Sequence, residues 1–198
     1  SAKEITVSVE PGNHWKQKMT PQAAIWLEDE SGNYIKTLYV TKKIAKKKFI
    51  FAPKEGRPEA LPVWQNASNT EAANSFGSEN KKNSAQLFDA VTSATPKGTV
   101  IFTTDIGQEK ESFVIKAEFN TSFDYNDFYT KENSGVNGQP SVIYSAVIPK
   151  GFFTEAGKII LEFTGTGSLD GKDGKINPSK EKLTTALEIV KMISVKAN

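Results

Sequence analysis

Residues 4–10 (Glu-Ile-Thr-Val-Ser-Val-Glu) alternate without a break, with Ile5, Val7 and Val9 on one side and Glu4, Thr6, Ser8 and Glu10 on the other. A side-chain period of two belongs to a strand with one face in a core and one in water. The same rhythm returns at residues 113–120, where Phe113, Ile115, Ala117 and Phe119 alternate with Val114, Lys116, Glu118 and Asn120. Residues 23–27 and 34–40 flank Ser31-Gly32-Asn33, a sequence suited to a hairpin turn. The second of these strands has bulky groups on both faces (Ile35 and Tyr39, Leu38 and Val40) and is expected to be central. Residues 100–104, 142–148, 159–164 and 189–195 complete a set of about eight short strands, punctuated by glycine-rich turns. Such a pattern predicts an all-β fold: a single antiparallel β-sandwich spanning residues 1–198, with an immunoglobulin-like arrangement as one form of it.

Two segments break the rhythm. Residues 41–98 carry prolines at 53, 58, 62 and 96 and are read as one long insertion, with some helix expected within residues 66–76. Residues 120–139 include Phe123-Asp-Tyr-Asn-Asp-Phe-Tyr129 and are expected to form an ordered excursion packed through its aromatic rings.

Composition narrows the chemistry. There is no cysteine, which removes disulfides, thiolate metal sites and cysteine nucleophiles. The single histidine, His14, rules out a multi-histidine metal centre and reads as a packing residue beside Trp15. A net charge of +2 gives no argument for nucleic acid, and the run Lys42, Lys43, Lys46, Lys47 and Lys48 reads as a solvated strand end or loop. No apolar run is long enough to span a bilayer as a helix. The acidic stretches at residues 28–30 and 170–174 lack calcium-loop spacing, and the second is read as a glycine-assisted turn.

Residues 89–95 (Asp-Ala-Val-Thr-Ser-Ala-Thr) carry the sharpest chemical signal. One reading is a turn rich in Asp, Ser and Thr, whose side chains hydrogen-bond their own backbone. The other is an acceptor segment for FMN, joined through a phosphoester to Thr95 and recognised through Asp89, Thr92 and Ser93. Small neighbours (Ala90, Ser93, Ala94) would admit this backbone to another enzyme's active site, and Pro96 holds Thr95 extended. The segment resembles the flavin-transferase recognition sequence of the FMN-binding domains of membrane redox pumps. It departs from that sequence in having Ser93 in place of glycine and Pro96 after the acceptor. Residues 57–64 (Arg-Pro-Glu-Ala-Leu-Pro-Val-Trp) form a second candidate. They read either as a rigid extended loop stapled to the sandwich by one tryptophan, or as a pocket wall. In the latter, Trp64 or Trp26 would stack on a flat ligand such as a flavin and Arg57 would meet a phosphate.

A wider resemblance rests on residues 25–40, 57–64, 89–96, 137–144 and 183–186. These blocks are similar to a family of predicted periplasmic bacterial proteins of unknown function, domain-of-unknown-function family 2271. Its members are encoded near PepSY-type membrane reductases and flavin transferases. That resemblance implies an exported protein, periplasmic or on the cell surface. The opening Ser1-Ala2 is read as a boundary from which a leader or lipid anchor has been trimmed. A flavin transferase and a membrane reductase are the implied partners. The expected function is therefore a non-enzymatic accessory or binding protein in a membrane-linked redox system, with covalent FMN as its cofactor. The alternative is a cofactor-free cell-surface sandwich that binds a ligand among Trp26, Trp64 and the aromatics of residues 123–129.

Overall fold

The alternating side chains of the first strand, β1 (Glu4–Pro11), turn inward as their period requires: Ile5, Val7 and Val9 are buried. The computed structural model describes residues 3–16, 18–41, 60–74, 91–93, 99–106, 111–153 and 157–198. After β1 come β2 (Gln22–Asp29), β3 (Tyr34–Thr41), helix α1 (Pro62–Asn74), β4 (Val91–Ser93), β5 (Val100–Asp105) and β6 (Phe113–Asn120). The short helix α2 (Lys131–Ser134), β7 (Val142–Ile148), β8 (Lys158–Ile160), β9 (Glu162–Thr166), a 3-10 turn (Thr185–Glu188) and β10 (Val190–Ala197) complete the order.

The strands form two sheets, one in the order β5-β1-β10-β8 and a larger one in the order β4-β3-β2-β6-β7-β9. Every pairing is antiparallel except β3 with β4, which run parallel. The main core lies between the sheets. Ile5, Val7 and Val9 of β1 and Ile193 and Val195 of β10 belong to one cluster with Ile25, Leu27, Ile115, Ala117 and Phe119 of the larger sheet. Tyr39 on β3 stacks on Phe102 of β5 at 5.5 Å between ring centres, bridging the two layers. Phe119 meets Trp15 at 6.3 Å and Tyr144 at 6.1 Å.

A second cluster lies on the outer face of the larger sheet. There Ala24, Trp26, Val40 and Ile143 pack with Ala60, Leu61, Val63 and Trp64 at the start of α1. This added layer explains why β2 and β3 carry bulky groups on both faces. α1 begins at Pro62, whose fixed φ and missing N–H suit the first turn of a helix. The extended path expected through residues 57–64 therefore ends by Leu61, and Trp64 sits in the helix's first turn.

Two other expectations are corrected. The strand expected over residues 159–164 is broken at buried Leu161. Its N–H bonds to Ile193, and the chain passes there from β8 in one sheet to β9 in the other. Within the insertion at residues 41–98, Val91–Ser93 form a strand rather than a turn, outermost in the larger sheet as described. The Ser-Gly-Asn hairpin forms as expected, with Asp29 Oδ1 accepting the N–H groups of Ser31 at 2.9 Å and Asn33 at 2.8 Å.

Trp64→Ala would empty the centre of the outer cluster and leave Thr37 without its indole donor. It should lower unfolding stability by about 3–5 kcal/mol, read from urea midpoints. Trp64→Phe, which keeps an aromatic ring but loses the N–H and part of the volume, should cost less, about 1–3 kcal/mol.

Candidate functional site

Strand register gathers several polar features at one end of the larger sheet. Ser93 pairs with Thr41, and Thr41 Oγ1 accepts the Ala23 N–H at 3.3 Å. Ala23 pairs with Phe119, Phe119 with Val142, and Val142 with Thr166. Strands spaced by about 4.8 Å place β4 roughly 14 Å from β6 along this row. Thr92 and Ser93 thus share an end of the sheet with the excursion at residues 120–139 and with the loop that follows β9. The side chains of Thr92 and Ser93, and the residues Asp89, Thr95 and Arg57, lie outside the described residues.

Trp26 and Trp64, expected on a pocket wall, are instead 0% and 1% exposed. Trp26 Nε1 donates to Glu28 Oε2 at 2.9 Å, and that carboxylate pairs with Lys116 at 2.9 Å. Trp64 Nε1 donates to Thr37 Oγ1 at 2.9 Å. Both indoles are core groups with their polar edges satisfied inside, which corrects the stacking role expected of them and leaves the staple reading.

The excursion is ordered through polar bonds more than through its aromatic rings. Asn126 Oδ1 accepts from the N–H groups of Phe128 at 3.0 Å and Tyr129 at 2.7 Å. Its Nδ2 donates to Lys182 O at 2.8 Å and Thr184 Oγ1 at 3.1 Å. Asn126, Asp127, Phe128, Lys182 and Thr184 line an open recess of about 430 Å³. The Phe128 ring is half exposed there, and the Lys182 ammonium lies 5.5 Å from its centre. Phe123 and Lys182 are the non-glycine residues with positive φ among the described residues, at 61° and 70°. Holding bulky side chains there costs roughly 1–3 kcal/mol each.

Beneath the excursion lies a polar knot made from three distant segments. Asp124 Oδ1 meets His14 Nε2 at 3.1 Å and accepts the Thr185 hydroxyl at 2.7 Å. Gln139 Nε2 donates to Thr185 Oγ1 at 2.7 Å, and Gln139 Oε1 accepts from Thr184 N at 2.7 Å and Ala186 N at 3.2 Å. His14, expected only to pack, ties the β1–β2 loop to this knot. The threonine hydroxyl bonds to carboxylate and amide rather than to imidazole, so the group joins loops without pairing a nucleophile with a base. Gly138, at φ 71°, allows the close approach: a Cβ would lie 2.4 Å from the Asp124 carbonyl.

Glu118 is the second buried carboxyl at this end, with no exposed surface. Its Oε1 accepts Trp64 N–H at 2.8 Å; its Oε2 accepts Val63 N–H at 3.2 Å and the Ser141 hydroxyl at 2.7 Å. It therefore occupies, from another strand, the place of an N-cap for α1. Gly167 closes over it, where a Cβ would come 2.5 Å from Ser141 Oγ. Burial pushes the carboxyl from 4.5 up to about 7, against the lowering by its three donors. Neither Glu118 nor the Asp124 knot was singled out from sequence, where each is one polar residue among many.

Elsewhere the acidic stretches act as turns: Asp170 and Asp173 accept the N–H groups of Lys172 at 2.9 Å and Lys175 at 3.0 Å. Among the described residues, no group of three or more His, Asp and Glu is placed to hold a metal, and no helix is long and apolar enough to cross a membrane.

A carboxyl whose folded value lies above its unfolded one favours the fold while protonated. Glu118 should thus contribute full stability below about pH 4.5 and lose it as pH rises through about 7. Urea unfolding between about pH 5 and pH 8 should show roughly 3 kcal/mol of decline from this group. Glu118→Gln should flatten that slope, and an unchanged slope would remove Glu118 as its source.

No family model, no curated protein and no solved structure matches this chain.

Proposed function

We propose that this protein is a non-catalytic, extracytoplasmic carrier in a membrane-linked redox system, with FMN joined covalently to Thr95. The observation that carries this reading is the strand β4. Val91–Ser93, the middle of the acceptor segment, are extended and outermost in the larger sheet as described. An extended strand is a form of chain that another protein can recognise through its backbone. Thr92 and Ser93, with Asp89 before them, would be the residues a flavin transferase reads on the way to Thr95. In the transfer, the Thr95 hydroxyl oxygen would bond to the phosphorus of the FMN half of FAD. The pyrophosphate bond would break, AMP would leave, and the hydroxyl proton would pass to the transferase or solvent. Bound FMN supplies one- and two-electron transfer, while the protein supplies tethering and exposure. A membrane reductase is the partner class for those electrons.

A second reading is favoured by one observation: the recess of about 430 Å³ beside half-exposed Phe128. On that reading the protein is a cofactor-free surface sandwich that binds a ligand through the aromatic excursion.

Intact-mass spectrometry after co-expression with an exported flavin transferase separates the two. The carrier reading expects a gain of one FMN less water, abolished in Thr95→Ala. An unchanged mass, with the same transferase loading a known acceptor, would leave the ligand-binding reading.

A further inference from the structure

The recess lined by Asn126, Asp127, Phe128, Lys182 and Thr184 has two walls, and hydrogen bonds within the chain hold both in place. Asn126 joins them: its Nδ2 donates to Lys182 O and Thr184 Oγ1, and its Oδ1 takes the N–H groups of Phe128 and Tyr129. Behind the first wall, Asn133 Nδ2 donates to Phe128 O at 2.7 Å. Behind the second, Gln139 Oε1 accepts the Thr184 N–H at 2.7 Å. A surface fixed in this way loses little freedom when a ligand settles on it. Its volume of about 430 Å³ falls within the range of small-molecule sites, roughly 300–1,000 Å³.

What the recess offers follows from what this framework leaves over. Among the described residues, the Asp127 carboxylate and the Lys182 ammonium have no hydrogen-bond or ion-pair partner, and the Phe128 ring is half exposed. Lys182 sits at φ 70°, which glycine or asparagine adopts more readily than lysine. Its ammonium lies 5.5 Å from the centre of the Phe128 ring, so strained backbone sets a charged donor beside an apolar plane. A ligand of net charge would gain from one of the two charges and lose to the other. A carboxylate only accepts and an ammonium only donates, whereas a hydroxyl does both. Neighbouring hydroxyls on a ring with an apolar C–H face therefore match all three groups at once. A zwitterionic amino acid would meet the two charges as well, but in an open recess such contacts are screened and contribute little.

We propose that this recess binds a neutral pyranose sugar, stacked on Phe128 and hydrogen-bonded to Asp127 and Lys182 through adjacent hydroxyls. The inference rests on the reading of the aromatic excursion as a ligand site and supplies the class of ligand. It holds whether or not Thr95 carries FMN.

The test follows the backbone amides of residues 126–129 and 182–184 by proton–nitrogen correlation NMR on the whole chain. The probes are the methyl pyranosides of glucose, galactose, mannose and N-acetylglucosamine, each to about 100 mM, with free leucine as the zwitterion. At least one glycoside should shift these amides with a Kd of about 1–10 mM. That Kd should hold within about twofold between about 10 and 500 mM salt, as befits a neutral ligand. Phe128→Ala should weaken binding roughly tenfold. Lys182→Asn should weaken it about threefold or more while Tm stays equal or rises, a combination that a purely structural lysine would not give. A response to leucine alone would overturn the sugar and leave a ligand site of another class. Amides silent toward every probe would overturn the sugar and the ligand-site reading together. Glycoside shifts unchanged in both variants would also overturn the proposal, because the sugar would then bind without the ring and the ammonium.

Discussion

A carboxyl group with no solvent contact helps hold the third layer of this protein in place. Glu118 projects from β6, an inner strand of the larger sheet, and takes the N–H groups of Val63 and Trp64, donors that α1 cannot satisfy for itself. Residue 61, which precedes the helix, is leucine and offers no capping oxygen, so β6 supplies the acceptor from outside, a contribution of about 0.5–2 kcal/mol. Everything on the outer face follows. Trp64 is seated over Thr37, Leu61 and Val63 cover Trp26, and the bulky outer faces of β2 and β3 are kept from water.

How much of this could be read beforehand depends on the range of the interaction. Alternation is local, so β1 and β6 were legible from residues 4–10 and 113–120 alone, as was the hairpin around Gly32. The doubled apolar faces of β3 were legible too, and so was some helix within residues 66–76, but not that the helix covers those faces. The break at Leu161 leaves no local mark, because an apolar residue between two strands looks the same whether the chain continues or changes sheets. Trp64 illustrates a different ambiguity. A tryptophan two residues after a proline fits a pocket wall and a core staple equally well, and only its fully buried indole decides for the second. The knot of His14, Asp124, Gln139 and Thr185 joins residues more than a hundred positions apart, and no spacing rule points to it.

The end of the larger sheet is where these long-range features accumulate. The acceptor strand, the aromatic excursion, the Asp124 knot and the buried Glu118 reach it from separate parts of the chain, yet one row of paired residues sets them within a few strands of one another. Strained φ values at Phe123 and Lys182 lie there as well, whereas the opposite end carries an unstrained hairpin. A sandwich tolerates such elaboration because its loops project from a scaffold that the two cores already hold rigid.

The smaller sheet has a different consequence. Its two inner strands are β1 and β10, paired from Ile5 with Ala197 to Glu10 with Met192, so its centre joins the two extremes of the described chain. Closing so long a loop is entropically slow, and the shorter-range partner of β1 in this sheet, β5, pairs with its other edge. A nascent chain would therefore lack the middle of this layer until β10 had been synthesised. Until then, Ile5, Val7 and Val9 would have no β10 to pack beside.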